Sequence, residues 1–205
     1  MRQVWATRIF TLLMLPAFVL GEASAASLLT GKQLTGALAG GGYVFLMRPA
    51  NSSETPPTAD QAEPGNVSHE RQLDARGRAA AKAMGEVLRR LRIPVGQVLS
   101  STAYRALETA RLAQLPEPHT YDDLAEAGMG PEQTGSLRAQ VAVPPAAGTN
   151  TIIITHLRNI SAAFAADARD LAEGEALIYR PDGKGSATLA GRVRIEDWPK
   201  LAAAP

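Results

Sequence analysis

The sequence predicts one α/β domain, and three observations lead there. Short apolar segments at Tyr43–Met47, Val98–Leu99 and Thr151–Ile154 read as buried strands. Each runs into a turn bearing charged or polar side chains, and a helical pattern follows each turn. With the first 25 residues set aside, about 180 remain, an ordinary length for one hydrophobic core.

Residues 1–25 read as an address rather than as part of the fold. Arg2 and Arg8 give a positive start, Ile9 to Leu20 an apolar run of 12, and Ala23-Ser24-Ala25 a small-residue cleavage site. A run of that length is too short to cross a bilayer as a helix. A cleavable signal peptide, a folded domain over 26–205, a periplasmic or secreted location and no membrane span after cleavage are the expectations.

Thr30 to Leu34 leads into a short helical stretch that Gly40-Gly41-Gly42 breaks before the first strand. Residues 52–70, with prolines at 56, 57 and 64, read as a long loop of the kind that covers or lines a site. Asp74 is placed as a helix N-cap, followed by an apolar face of Ala80, Met84, Val87, Leu88 and Leu91 that Pro94 brings to an end. Ser100 and Ser101 close the second strand, and Thr102 to Leu112 reads as a helix. The stretch 128–150 is weakly patterned apart from a short helix around Leu137. Asn159 to Ala165 reads as a helix after the third strand, and Ala176–Tyr179 and Ala187–Ile195 as a strand pair around Pro181-Asp182-Gly183.

Composition excludes several function classes. Taking away Arg2, Arg8 and Glu22 with the leader leaves 19 basic and 19 acidic residues, so no excess charge points to nucleic acid. The absence of cysteine removes disulfides and a thiol nucleophile. Three histidines without ligand spacing make no metal motif, and Gly40-Gly41-Gly42 precedes a strand instead of following one, so it is no nucleotide-phosphate loop. Neither metal nor cofactor is expected. Anion binding is then a local matter of a few arginines.

Arg48, Arg105 and His156 stand at or just beyond the three strand ends, where an open α/β sheet forms its binding crevice. Guanidinium forks suit phosphoryl oxygens, and His156 precedes a helix whose free N–H groups favour an anion. His69, among Ser68, Glu70 and Arg71, and His119, beside Pro118, read as solvated.

Four motifs in order resemble the histidine phosphatase, or phosphoglycerate mutase-like, superfamily. They are Tyr43 to Ser52, Leu73 to Arg78, Ser100 to Ala110 with Arg105 inside it, and Ile154 to Ile160; Gly174 to Ala176 and Glu196 to Trp198 resemble the closing segment of exported bacterial members. The resemblance implies a three-layer sandwich, a mostly parallel central sheet with helices on both faces. It implies that Arg48 and Arg105 grip phosphate, that His156 stabilises charge on the phosphoryl group, and that Glu126 stands where many members keep a proton donor. The nucleophilic histidine of the family corresponds to Pro49 here. A proline nitrogen belongs to the amide and cannot attack phosphorus.

The expectation is an exported domain that binds a phosphorylated small molecule or envelope component with catalysis lost or strongly impaired. The alternative is an active phosphomonoesterase that uses a substitute nucleophile or water; a third reading is an otherwise ordinary phosphatase in which Pro49 is a recent inactivating change.

Overall fold

The computed structural model describes residues 27–126 and 130–203. The expected signal peptide over residues 1–25, with residue 26 and with Gly128 of the weakly patterned stretch, lies outside the described residues.

The elements in chain order are α1 (Gly31–Ala39), β1 (Val44–Met47), α2 (Ala75–Arg90), β2 (Val95–Ser100), α3 (Tyr104–Leu112), β3 (His119–Thr120), α4 (Pro131–Val141), β4 (Asn150–Ile154), α5 (Leu157–Ala163), β5 (Ala176–Pro181), β6 (Ala187–Val193) and α6 (Trp198–Ala203). One sheet runs β3-β2-β4-β1-β5-β6. β1, β2, β3 and β4 pair in parallel, while β5 pairs antiparallel with both β1 and β6. The sheet is mixed and mostly parallel, as expected.

Alternation along the strands divides the core. Phe45, Met47, Val98, Ile152, Ile154 and Ile178 face α1, α2, α3 and α6, whereas Val44, Leu46, Leu99, Ile153 and Leu177 face α4 and α5. All four residues of β1 are buried, since both sheet faces are covered, which is why the strand reads as an unbroken apolar run. Burying each such side chain is worth about 1.5–3 kcal/mol relative to exposure. Trp198 stacks on Phe45 with ring centroids 6.1 Å apart, which ties α6 to the central strand.

Capping residues set the helix limits. The Asp74 carboxylate accepts a hydrogen bond of 2.7 Å from the Gly77 N–H and starts α2 as expected. Ala81, not Ala80, is the fully buried alanine of its inner face. At the end of α1, Gly41 has φ of 77°, and a Cβ there would lie 2.5 Å from the Gly148 carbonyl carbon. Only glycine fits that approach.

Four elements depart from expectation. β2 begins at Val95, three residues early, because pairing with β4 through a bulge recruits the exposed Gly96 and Gln97, which have no apolar pattern. His119 and Thr120 form an exposed edge strand of two residues, hidden in the sequence directly after Pro116 and Pro118. α4 spans 11 residues where only a short helix was expected, since its inner face consists of little more than Leu137 and Val141. α6 had no counterpart in the sequence reading. No helix among the described residues is long and apolar enough to cross a membrane.

Candidate functional site

Strand register brings the predicted residues to one edge. Met47 of β1 and Ser100 of β2 both align with Ile154 of β4, so Arg48, Ser101 and Thr155 leave the sheet side by side. Backbone bonds continue the alignment past the strands: Ser101 N–H to the Ile154 carbonyl at 2.9 Å, and Thr155 N–H to the Met47 carbonyl at 3.0 Å. These carboxyl ends form the crevice.

His156 lies at its floor, 3% exposed. One Nη2 of Arg105 stands 2.8 Å from His156 Nδ1, and Ser101 Oγ stands 2.8 Å from Nε2. A guanidinium only donates, so Nδ1 accepts and the ring proton belongs on Nε2, directed at Ser101 Oγ. Burial, reinforced by Arg105, pushes the His156 pKa down to about 4, so the imidazole is neutral at ordinary pH. Both ring nitrogens are therefore engaged.

The same Arg105 Nη2 donates to Glu126 Oε2 at 2.7 Å, using its second N–H. Glu126 is itself positioned from below. The Thr155 hydroxyl donates to the Leu124 carbonyl at 2.7 Å, and the Asn159 amide donates to the Leu124 and Ala125 carbonyls. Thr155 of the turn and Asn159 of α5 thus hold the segment that carries the carboxylate.

Arg48 donates from Nη1 to the Leu171 carbonyl at 2.7 Å, and its Nη2 is 3.7 Å from Glu173. Burial lowers its pKa, and Glu173 partly offsets that effect. Arg48 and His156 each feel the charges of Arg71, Arg105 and Glu126, the electrostatic sign that these groups share one crevice. Pro49 is buried at the end of β1, and its carbonyl accepts from the Gly174 N–H at 2.8 Å. No histidine ring fills that position.

Three participants escaped the sequence reading. Arg71 lies in a polar run without pattern, yet segment 51–53 pairs back on 72–74 and carries it beside Arg48. Arg71 donates to the Ser53 carbonyl at 2.6 Å and to Ser52 Oγ at 2.9 Å. Glu173 lies next to a glycine of positive φ, a signal of a turn but not of a site. Ser101 stands at a strand end, and nothing in the sequence marks its hydroxyl as a partner of His156. His69 and His119 are exposed, and neither is among the groups that act on His156.

The long loop is fastened away from the crevice floor. Glu63 accepts from Arg78 and from the Tyr104 hydroxyl, each at 2.7 Å, and Glu70 accepts from the Tyr104 N–H at 3.0 Å. A cavity of about 600 Å³ between this loop, α2 and α3 is lined by Glu63, Arg78, Lys82, Tyr104, Leu107 and Arg111 among others. It contains none of Arg48, Arg105, Glu126 or His156.

The family model described as histidine phosphatase superfamily (branch 1) matches residues 62–165, just over half of the chain. Among solved structures, the chain is similar to the protein histidine phosphatase SixA complexed with tungstate, with 16% identity, 76% of this chain and 98% of that one covered, and a TM-score of 0.57. It is also similar to SixA from Agrobacterium tumefaciens, with 20% identity, coverage of 74% and 97%, and a TM-score of 0.52. A histidine-to-alanine mutant of phosphoserine phosphatase from Entamoeba histolytica in complex with phosphoserine has 11% identity, coverage of 75% and 98%, and a TM-score of 0.50. No curated protein sequence matches the chain.

Proposed function

The chain belongs to the histidine phosphatase superfamily, and from that premise we propose that its crevice binds a phosphomonoester through Arg48, Arg105 and the neighbourhood of His156 without efficient hydrolysis. The observation that supports this reading best is the end of β1, where Pro49 is buried and its carbonyl is held by Gly174. Catalysis in the superfamily needs a nitrogen nucleophile next to the first arginine. Proline offers none.

His156 is a poor substitute. Nδ1 accepts from Arg105 and Nε2 faces Ser101, so attack on phosphorus would require breaking one of two buried contacts of 2.8 Å. Its neutral ring instead turns Arg105, which also meets Glu126, into a fixed donor. Among the described residues, Arg105 Nε and Nη1 have no acceptor, and these groups are free to meet a phosphoryl oxygen. Glu126, the carboxylate that Arg105 meets, has no attack to assist.

The Entamoeba neighbour lacks a histidine by mutation and is in complex with phosphoserine. Loss of a histidine is therefore compatible with phosphomonoester binding in this fold. In the same proposal the ligand is a phosphorylated small molecule or envelope component outside the cytoplasm, a reading that the leader-like pattern of residues 1–25 supports.

The test compares the protein with Pro49→His on an aryl phosphate. The natural protein is expected to be inert and the variant at least about 10³-fold faster, since loss of a covalent nucleophile costs on the order of 10⁶ in a protease. Comparable turnover by the two proteins would overturn the assignment of Pro49.

A further inference from the structure

The two carboxylates of the crevice are held very differently. Glu126 meets Arg105 at 2.7 Å, a normal charge-assisted contact. Glu173 sits among five donor groups and reaches none closely. Its Oε1 is 3.7 Å from Nη2 of Arg48, 3.7 Å from Nη2 of Arg71 and 3.4 Å from Ser52 Oγ; its Oε2 is 3.4 Å from Asn51 Nδ2 and 3.4 Å from the Ser52 N.

Two guanidinium groups, a hydroxyl, a side-chain amide and a backbone N–H converging on one point form a cradle for a tetrahedral oxyanion. A planar carboxylate on a fixed stem satisfies it at long range only. The donors are built in: Arg71 is pinned by Ser53 and Ser52, Arg48 by the Leu171 carbonyl, and Asn51 by the bond of its carbonyl with the Asp74 N–H. The Glu173 side chain is 28% exposed and that of Arg48 19%, so solvent reaches the carboxylate.

We propose that Glu173 is an internal competitor for the ligand's phosphoryl group, which enters the Arg48–Arg71–Ser52–Asn51 cradle and displaces the carboxylate toward solvent. This rests on the phosphate-binding reading above and extends it. Arg71 is the third cationic residue of the pocket, and Glu173 sets the affinity. The crevice holds three arginines against two glutamates, so displacement of one carboxylate changes its net charge in favour of a phosphate dianion. In the absence of the anion the same carboxylate keeps Arg48 and Arg71 from repelling one another.

Titration of inorganic phosphate into the protein by calorimetry, with Glu173→Gln and Arg71→Ala beside it, tests this. Gln keeps the shape and removes the charge, and phosphate should then bind about fivefold more tightly, the size of one exposed ion pair. Arg71→Ala should weaken binding about tenfold, as expected for a lost hydrogen bond to a charged group. Should Glu173→Gln fold poorly, Glu173→Asp retracts the carboxylate and should show a smaller gain. Phosphate binding to the natural protein with no gain in either Glu173 variant overturns the competition and leaves the pocket standing. Absence of phosphate binding in every variant overturns the pocket and the competition together.

Discussion

His156 makes the stability of the protein depend on pH in a definite direction. Its folded pKa of about 4 lies below the ordinary value of 6.5, so the unfolded chain binds a proton that the folded one refuses. The contribution is fully present above pH 6.5 and is lost as pH falls through about 4. His156→Gln should flatten the stability profile in that window by on the order of 2 kcal/mol, read from thermal melts at stepped pH. An unchanged profile would mean that His156 takes up its proton equally readily in the folded and the unfolded chain. Arg48, Arg105, His156 and Pro49 were legible because each occupies a fixed place in a motif. Arg71 and Glu173 were not, since a charged residue in a polar run reads as solvated whether it faces a crevice or water.

At the scale of elements, the site depends on how closely α2 approaches the exit of β1. A Cβ at Gly77 would lie 2.0 Å from the Asn51 carbonyl oxygen, in the segment that carries Asn51 and Ser52 to Glu173. Overpacking of that kind costs about 2–3 kcal/mol, more than the roughly 1 kcal/mol that alanine gains in a helix. Gly77→Ala should therefore lose about 1–2 kcal/mol in urea unfolding, and phosphate affinity should fall with it. Retained affinity in a destabilised variant would separate the helix from the pocket. Elements that the sequence concealed, α4 and the two-residue β3, have few buried apolar positions and owe their place to neighbours. Those it revealed, β1 and β4, are buried along their whole length because both sheet faces are covered, and their apolar runs Val44–Met47 and Ile152–Ile154 record it.

For the molecule as a whole, the pocket joins β1, β2, β4 and the segment before β5, so an anion that binds the folded chain alone should stabilise it throughout. Phosphate at a hundredfold excess over its dissociation constant adds about 2.7 kcal/mol by mass action, a rise of about 5–10 °C in melting temperature for a domain of this size. Added sodium chloride should reduce the shift, and Arg48→Ala with Arg105→Ala should remove it. A shift that survives the double substitution would locate the anion elsewhere, and the cavity lined by Arg78, Lys82 and Arg111 would be the place to look.

By itself, the sequence determined the fold class, the buried strands, the start of α2 and the superfamily. These are properties of local pattern, in which a residue and its near neighbours carry the information. Only the tertiary structure decided that the Arg105 guanidinium donates to His156 and Glu126 from one nitrogen, that Asn159 and Thr155 hold the Glu126 segment, and that Glu173 loosely fills a cradle between Arg48 and Arg71. Those contacts join residues up to 125 positions apart, and strand pairing brings them together, parallel among β1, β2 and β4 for Arg105 and His156, antiparallel between β1 and β5 for Arg48 and Glu173. Distance along the chain says nothing about them, because the register of the sheet, not the order of residues, sets which side chains meet.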